Sequence, residues 1–552
     1  MSIKLNGGEI IVRCLEEQGV DRLFCVPGES FLPVLDGLQQ SDIETVLARH
    51  EGGASIMAEA DGKMTGRPGV VLVTRGPGAT NASSGLHIAQ QDSTPLVMLI
   101  GQVARDMIGR DAFQEVDYTV LFGGMAKHVE EVHDVHRLAD AVTEAFATAM
   151  AGRPGPVVIS LPEDMLYDAT TAVIPKRVEP VYAAPDEGKV AEIAQRIKSA
   201  GSPIIIAGGP IWDHAAISAL AEVAERFDIP VTCSFRRQRL MSSLHPRYAG
   251  DLGLGCNPQL LARIKSSDLV LMIGGRLSEI PSQSYTLIDI PDPQMPLVHI
   301  HSDEEELGHV YTPEIGLATT PGLFLKALLD HAPDVAAEIT PCPEHESYLD
   351  WVNVIPDVPG MVNMAAVMHH LRDVLPPESI MTNGAGNYAT WLHRFYHFRD
   401  PLCQLAPTSG SMGYGIPAAV AAKARFPDRP VIAFAGDGCF QMTMQELATA
   451  RQIGANIIVI VVDNGMYGTI RMHQERHFPG RINHTTLVNP DFTGIGEAMG
   501  FYAEKVSKTE SFAEAFDRCI NSGRPALLHL PIDPEAISPT TTLSKIRQAA
   551  LG

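Results

Sequence analysis

Short apolar runs rich in β-branched residues alternate with helical stretches along the chain. The opening MSIKLNGGEIIVRCLEEQGV has the spacing of an amphipathic helix, centred on residues 10–19, that enters a domain. An apolar run at 23–26 ends in Pro27-Gly28, and further runs follow at 45–48, 70–74, 95–100 and 156–161. A small-residue helical stretch begins after Gly52. Strands that are apolar on both faces and alternate with helices predict a parallel α/β sheet. Residues 173–187 are rich in Pro, Ala and charge and read as a linker. The pattern then repeats: a strand at 203–207 ending in Gly208-Gly209, a helix over 215–226, a strand at 269–273 ending in Gly274-Gly275, and another at 297–301. A second polar, Pro-rich linker covers about 332–359. The third block opens with a helix over 364–374 and carries strands at 431–434, 457–462 and 526–530. The expectation is an α/β protein of three doubly wound parallel-sheet domains, spanning 1–180, 190–340 and 360–552.

The bulk numbers agree with several packed cores. The chain has 552 residues, 45% hydrophobic and 19% charged, which is too long for one ordinary domain and too apolar for disorder. Its net charge of −23 argues against nucleic acid and anionic membranes as partners. No apolar run reaches membrane-spanning length, and the N-terminus lacks a basic segment leading into an apolar one. The expectation is a soluble, cytoplasmic protein. Eight cysteines are scattered without a CxxC pair, and Cys25, Cys233 and Cys439 sit in apolar or Gly-rich contexts that suit small buried residues.

Chemistry concentrates in residues 431–467. A strand leads into Gly436-Asp437-Gly438, a helix and second strand follow, and Asp463-Asn464-Gly465 closes the unit. Asp437 and Asn464 thus fall just past the carboxyl ends of two strands, the edge where parallel sheets bind ligands. The flanking glycines let backbone approach a bulky anion. A helix around 444–453 is expected to aim its N-terminal amides at a phosphate. The Asp437 carboxylate, the Asn464 amide oxygen and a loop carbonyl, that of Met466, would suit Mg²⁺, which prefers oxygen donors and shares its shell with phosphate. A lone Gly-Asp-Gly is an ordinary turn; its pairing with an Asn-Gly after an intervening helix and strand is what carries the signal.

That pairing resembles the cofactor motif of the thiamine-diphosphate (ThDP) enzyme superfamily. The segment RHEGGASIMAEADGKMTGRPGVVLVTRGPGATN, from Arg49 to Asn81, is similar to the pyrimidine-binding domain of the acetolactate synthases. The resemblance implies three domains in the order pyrimidine-binding, central and diphosphate-binding. It implies that Glu51 is the activating glutamate, hydrogen-bonded to the pyrimidine ring and driving the tautomer that removes the C2 proton. It further implies cofactor contacts at Pro27, Gly28, Thr74, Gly78 and Asn81. In Pro407-Thr408-Ser409-Gly410-Ser411-Met412, Gly410 would accept from the aminopyrimidine and Met412 would wedge under the cofactor. Gly386, Asn387 and Tyr388 match the diphosphate-side loop, with Asn-Tyr where acetolactate synthases carry Gln-His. Gly436, Asp437, Gly438, Cys439, Asn464, Met466, Tyr467 and Gly468 complete the cofactor contacts.

Ala112-Phe113-Gln114-Glu115 also resembles acetolactate synthase, which places Gln114 in the active site and favours chemistry on a 2-oxo acid such as pyruvate. Three departures bear on the substrate. Leu161-Pro162 is followed by Glu163 where the family has Lys. The Trp-containing segment that selects the second substrate is replaced by a run from Tyr467 to Gln474. The turn after Gly28 carries Glu29, either a proton-transfer group or a first-turn helix carboxylate. In the central block, Gly208-Gly209 and Gly274-Gly275-Arg276 fall where some relatives hold FAD, so the resemblance leaves FAD open. It also implies a homodimer or homotetramer with active sites at subunit interfaces. The function expected is acetolactate synthase-like carboligation. The alternatives are a 2-oxo acid decarboxylase, a hydroxy-ketone lyase, and a non-catalytic cofactor-binding relative that would lack Glu51.

Overall fold

The computed structural model describes residues 4–334 and 339–552. Three six-stranded sheets, all parallel, form the framework, together with a two-stranded antiparallel ribbon of Lys4–Asn6 and Ala169–Thr171. The first sheet runs Glu44–Leu47, Arg22–Cys25, Gly69–Val73, Leu96–Gln102, Pro156–Pro162, His128–Glu131. In chain order its strands lie 2-1-3-4-6-5. The third sheet runs Gln404–Leu405, Ile380–Asn383, Val431–Gly436, Ile458–Asp463, Ala526–Pro531, Tyr502–Lys505, the same 2-1-3-4-6-5 order. The middle sheet differs. Its strands Tyr248–Leu252, Val231–Ser234, Pro203–Ala207, Leu269–Ile273, Leu297–His301 and Ile315–Ala318 lie 3-2-1-4-5-6. In each sheet the order reverses beside the first strand, and a crevice at that point is where open α/β sheets bind ligands.

Central strands such as Gly69–Val73, Leu96–Gln102 and Leu269–Ile273 are buried at every position. Helices on both faces cover them, so no polar alternation survives in these strands. The chain separates into two compact units. One comprises Met1–Val181 with Ile416–Pro427 and Thr443–Ala455; the other comprises Tyr182–Gly415, Asp428–Met442 and Asn456–Gly552.

Several expectations need correction. The N-terminal helix is Gly7–Glu17, started by an Asn6 capping box and preceded by a strand; residues 1–3 of the expected helix lie outside the described residues. The expected linker at 332–359 holds the helix Pro343–Asn353, whose Tyr348 ring packs edge-on against Tyr248 at 4.9 Å; residues 335–338 of it lie outside the described residues. Its apolar residues, Tyr348, Leu349, Trp351 and Val352, are confined to its C-terminal half behind a polar first half, so no helical stripe runs its length. Residues 172–186 form neither helix nor strand, and the helix Glu187–Ser199 follows them. Seven of the eight free cysteines are buried, and Cys256 is half-buried. Among the described residues no helix is long and apolar enough to cross a membrane.

Candidate active site

A cavity of about 240 Å³ opens at the switch point of the third sheet. The residues gathered there come from three successive strand ends. Gly386, Asn387 and Tyr388 follow Ile380–Asn383; Gly436, Asp437, Gly438 and Cys439 end Val431–Gly436; Asn464, Met466, Tyr467 and Gly468 follow Ile458–Asp463. Gly410 and Met412 line it from the loop ahead of the helix Gly415–Arg425. All thirteen of these expected cofactor contacts therefore share one cavity. Gly410 sits at φ 69°, a left-handed conformation suited to glycine. A Cβ on Gly468 would lie 2.8 Å from the Asn464 amide nitrogen, so the bare backbone there leaves room for the Asn464 side chain.

No Lys, Arg or His is among the lining residues, and Asp437 is the only charged one. An anionic ligand would find repulsion here unless a cation accompanied it. Burial pushes the Asp437 carboxyl up to about 6, with hydrogen bonds from Asn489 and the Gly438 amide opposing the shift. Asn489 Nδ2 lies 2.8 Å from Asp437 Oδ2 and also 2.8 Å from Asp463 Oδ1, bridging the two strand ends. Asp463 in turn meets His529 Nε2 at 2.9 Å, and its carboxyl is held below the usual range by His529 and the Gly465 amide despite burial. The Asn464 Oδ1 accepts from the Met466 amide at 3.3 Å, which turns the amide oxygen back over the loop. Asp437 and Asn464 together offer the hard oxygen donors that Mg²⁺ takes, and a divalent cation there would offset the desolvation of Asp437.

Two features depart from the sequence expectation. The helix expected at 444–453 is Glu446–Gln452, and none of its residues lines the cavity. It groups with the first unit instead, where the buried Glu446 carboxylate accepts from the Arg49 amide at 3.2 Å and lies close against Gly53. The short helix beginning at Asp437 lines the cavity in its place. Tyr388 lines the cavity with its ring, while its hydroxyl points away, accepting from Gly384 N at 3.0 Å and lying 3.3 Å from Cys439 Sγ. Sequence reasoning also missed Asn489, His529 and the lining residues Ile532, Ala536 and Ile537, which sit outside any recognisable spacing.

The first unit carries a second cluster at the strand ends of its sheet. Glu51 opens the helix Glu51–Thr65, and His50 caps it by accepting from Gly52 N at 3.0 Å. Asn81 Nδ2 donates to Glu51 Oε2 at 3.0 Å. Thr74 packs against both Gly28 and Gly78: a Cβ on either glycine would come within 2.7 Å of the Thr74 side chain. Gln114 holds a left-handed φ of 65°, and its backbone abuts Gly76, whose amide donates to Tyr118 Oη at 2.9 Å. Glu51, Thr74, Gly78 and Asn81 thus form one cluster, with Pro27-Gly28 and Gln114 around it.

Comparison with known proteins agrees with this geometry. Residues 5–121, 190–328 and 384–530 match the N-terminal TPP binding domain, the central domain and the C-terminal TPP binding domain of thiamine pyrophosphate enzymes. The chain belongs to the thiamine pyrophosphate enzymes. Among its relatives in that family, the acetolactate synthase large subunit of Corynebacterium glutamicum is 32% identical, covering 97% of this chain and 88% of that protein. An acetolactate synthase of Mycobacterium bovis is 33% identical over 94% and 87%. The large subunit of acetolactate synthase isozyme 2 of Escherichia coli is 30% identical over 96% of each. Glu51 lies within the segment matched as the N-terminal TPP binding domain, and Asp437 within the segment matched as the C-terminal one.

Proposed function

We propose that this protein is a ThDP- and Mg²⁺-dependent carboligase of the acetolactate synthase type, acting on a 2-oxo acid such as pyruvate. The observation that supports the reading is the cavity at Asp437, which lies at the strand-end edge where parallel sheets bind ligands and is lined by a single carboxylate and no basic side chain. A diphosphate fits there only through a cation, and Asp437, Asn464 and the Met466 carbonyl are the residues that would hold it. When bound, ThDP supplies an electron sink for cleaving and forming C–C bonds next to a carbonyl. The chain's own groups do the rest. Glu51, fixed by Asn81, holds a proton against the pyrimidine ring; Met412 and Gly410 orient that ring; Gln114 and Glu29 face the substrate. The reading places the protein in a homodimer or homotetramer.

The middle sheet keeps the Rossmann order, but its crevice does not suit a flavin diphosphate. The helix His214–Arg226 that follows the first strand is already capped by the Asp213 carboxylate, which accepts from Ala216 N at 2.7 Å. The Trp212 indole donates to Gly208 O at 2.8 Å, and the position of a Cβ on Gly209 is filled by Gly274 O. We infer that this domain is structural and binds no FAD. The purified protein should then show no flavin absorbance, and none after dialysis against FAD; a stoichiometric yellow complex would contradict this.

Product analysis tests the main reading. Purified protein with ThDP, Mg²⁺ and pyruvate should form acetolactate. Acetaldehyde alone would support a simple decarboxylase, a reading favoured by the anionic Glu163 and the missing Trp segment. Binding of ThDP without turnover of any 2-oxo acid would favour a cofactor-binding relative.

A further inference from the structure

The two acidic departures from the acetolactate synthase pattern, Glu29 and Glu163, converge on one side chain. Arg75 Nη2 donates to Glu29 Oε1 at 2.8 Å, and Arg75 Nη1 donates to Glu163 Oε2 at 2.9 Å. Arg75 stands just past the end of Gly69–Val73, Glu29 past the end of Arg22–Cys25, and Glu163 past the end of Pro156–Pro162. These ends belong to the same edge of the first sheet as Glu51 and Thr74. The guanidinium side chain keeps 8% of its surface exposed, while the Glu29 side chain keeps 69%. The backbone under Glu29 is fixed independently. Ser30 Oγ lies 2.8 Å from Thr74 Oγ1, and the Ser30 side chain fills the space that a Cβ on Gly101 would need. The turn therefore cannot slide, and the remaining freedom is the swing of the Glu29 side chain, which Arg75 restrains.

We propose that Arg75 is a positioning residue that holds the Glu29 carboxyl group over the reacting carbonyl as its proton-transfer group, with Glu163 fixing the guanidinium from its other side. The proposal rests on the ThDP reading above. A proton passes from the Glu29 carboxyl group to each carbonyl oxygen as its carbon takes up an electron pair; one of the two protons returns to Glu29 when the first carbonyl is re-formed, and the other is replaced from solvent, because joining two 2-oxo acids with loss of CO2 takes up one proton overall. Both outer arms of the guanidinium fork are engaged by protein carboxylates. Arg75 therefore differs from an arginine that clamps the substrate's own carboxylate bidentately. It also explains why the acidic Glu163 accompanies Glu29: a lone glutamate at Glu29 would leave a long, mostly exposed side chain without a fixed direction.

The test is a double-mutant cycle on 2-oxo acid turnover, with ThDP affinity and thermal unfolding recorded for each protein. Glu29→Gln should lower kcat by roughly 100-fold, the lower end of what a positioned acid–base group contributes. Arg75→Gln should lower kcat by about tenfold or more, with KM and ThDP affinity little changed, and Arg75→Lys should recover part of the loss. In the Glu29→Gln background, Arg75→Gln should cost nothing further, because its effect runs through Glu29. Glu163→Gln, a milder change, should lower kcat several-fold in the wild-type background and not in the Glu29→Gln background. Additive losses, or a raised KM with unchanged kcat, would overturn the proposal in favour of a structural or substrate-clamping arginine. A wild-type protein that fails to bind ThDP would overturn the cofactor reading, and the proposal with it. That result is distinct from the first, in which wild type binds ThDP and turns over.

Discussion

Asp437 is a buried carboxylate with two neutral donors, and burial, together with the neighbouring Asp463 carboxylate, pushes its pKa up to about 6. A metal ion held at this position, as proposed above, would supply a compensating positive charge. Asp437→Ala should therefore lower Mg²⁺-dependent ThDP affinity by at least about 100-fold, measured by calorimetric titration. Asn489→Ala removes the bridge between Asp437 and Asp463 and should cost about 10- to 100-fold in the same titration, the usual range for a group that orients a metal ligand. Unchanged affinity in both would refute the metal site. Asp437 and Asn464 were legible in sequence because their glycine-flanked spacing is local. Asn489 was not: it arrives from a loop with no element pattern, and only the folded chain brings it to Asp437. Glu29 was legible as an oddity, but its partner Arg75 carried no sign of its role until three strand ends were placed side by side.

At the scale of elements, the helix Glu51–Thr65 carries both Glu51, the glutamate proposed to activate the cofactor, and the charge network that docks it. Lys63 Nζ meets Glu59 Oε1 at 2.9 Å and Asp92 Oδ2 at 3.1 Å, all three side chains being buried, and this ties the helix to Pro77–Asp92, which bears Gly78 and Asn81. Thr94 Oγ1 adds a bond to Glu59 at 2.7 Å. Lys63→Ala would remove the ammonium that the buried Glu59 and Asp92 carboxylates share and should destabilise the fold by about 3–5 kcal/mol, read as a shift in the denaturant midpoint. A change under about 1 kcal/mol would mean that water already screens the network. The strands and most helices could be read from apolar runs, since buried parallel strands are continuous in sequence. The helix Glu446–Gln452 shows the limit of that reading. Its pattern announces a helix, but only the fold shows that the Glu446 carboxylate accepts from the Arg49 amide.

For the molecule as a whole, sheet order was beyond the sequence. Which strand neighbours which depends on crossovers that periodicity does not encode, so the shared 2-1-3-4-6-5 order of the outer sheets and the Rossmann order of the middle one emerge only from the structure. The middle and third sheets of the second unit are joined through buried polar groups. Gln238 Nε2 donates to Asp251 Oδ1 at 3.1 Å and to His393 O at 2.7 Å, and its Oε1 accepts from Gln404 at 2.6 Å. Burial pushes the Asp251 carboxyl up to about 7. An acid whose folded pKa is raised binds its proton more tightly when folded, so stability from this group falls as pH rises from about 4 towards 7. Asp251→Asn should remove that slope and stabilise the protein at pH 8 relative to pH 5, measured by denaturant unfolding at both; an unaltered pH dependence would show that Asp251 is not its source.

If Glu51 activates a cofactor whose diphosphate end is held at Asp437, the two residues should separate activation from binding. Deuterium exchange at C2 of bound ThDP, followed by NMR after rapid mixing, measures that activation directly. The wild type should exchange far faster than free ThDP, and Glu51→Gln should lose most of that acceleration while still binding the cofactor. Equal exchange rates in the two proteins would contradict the account.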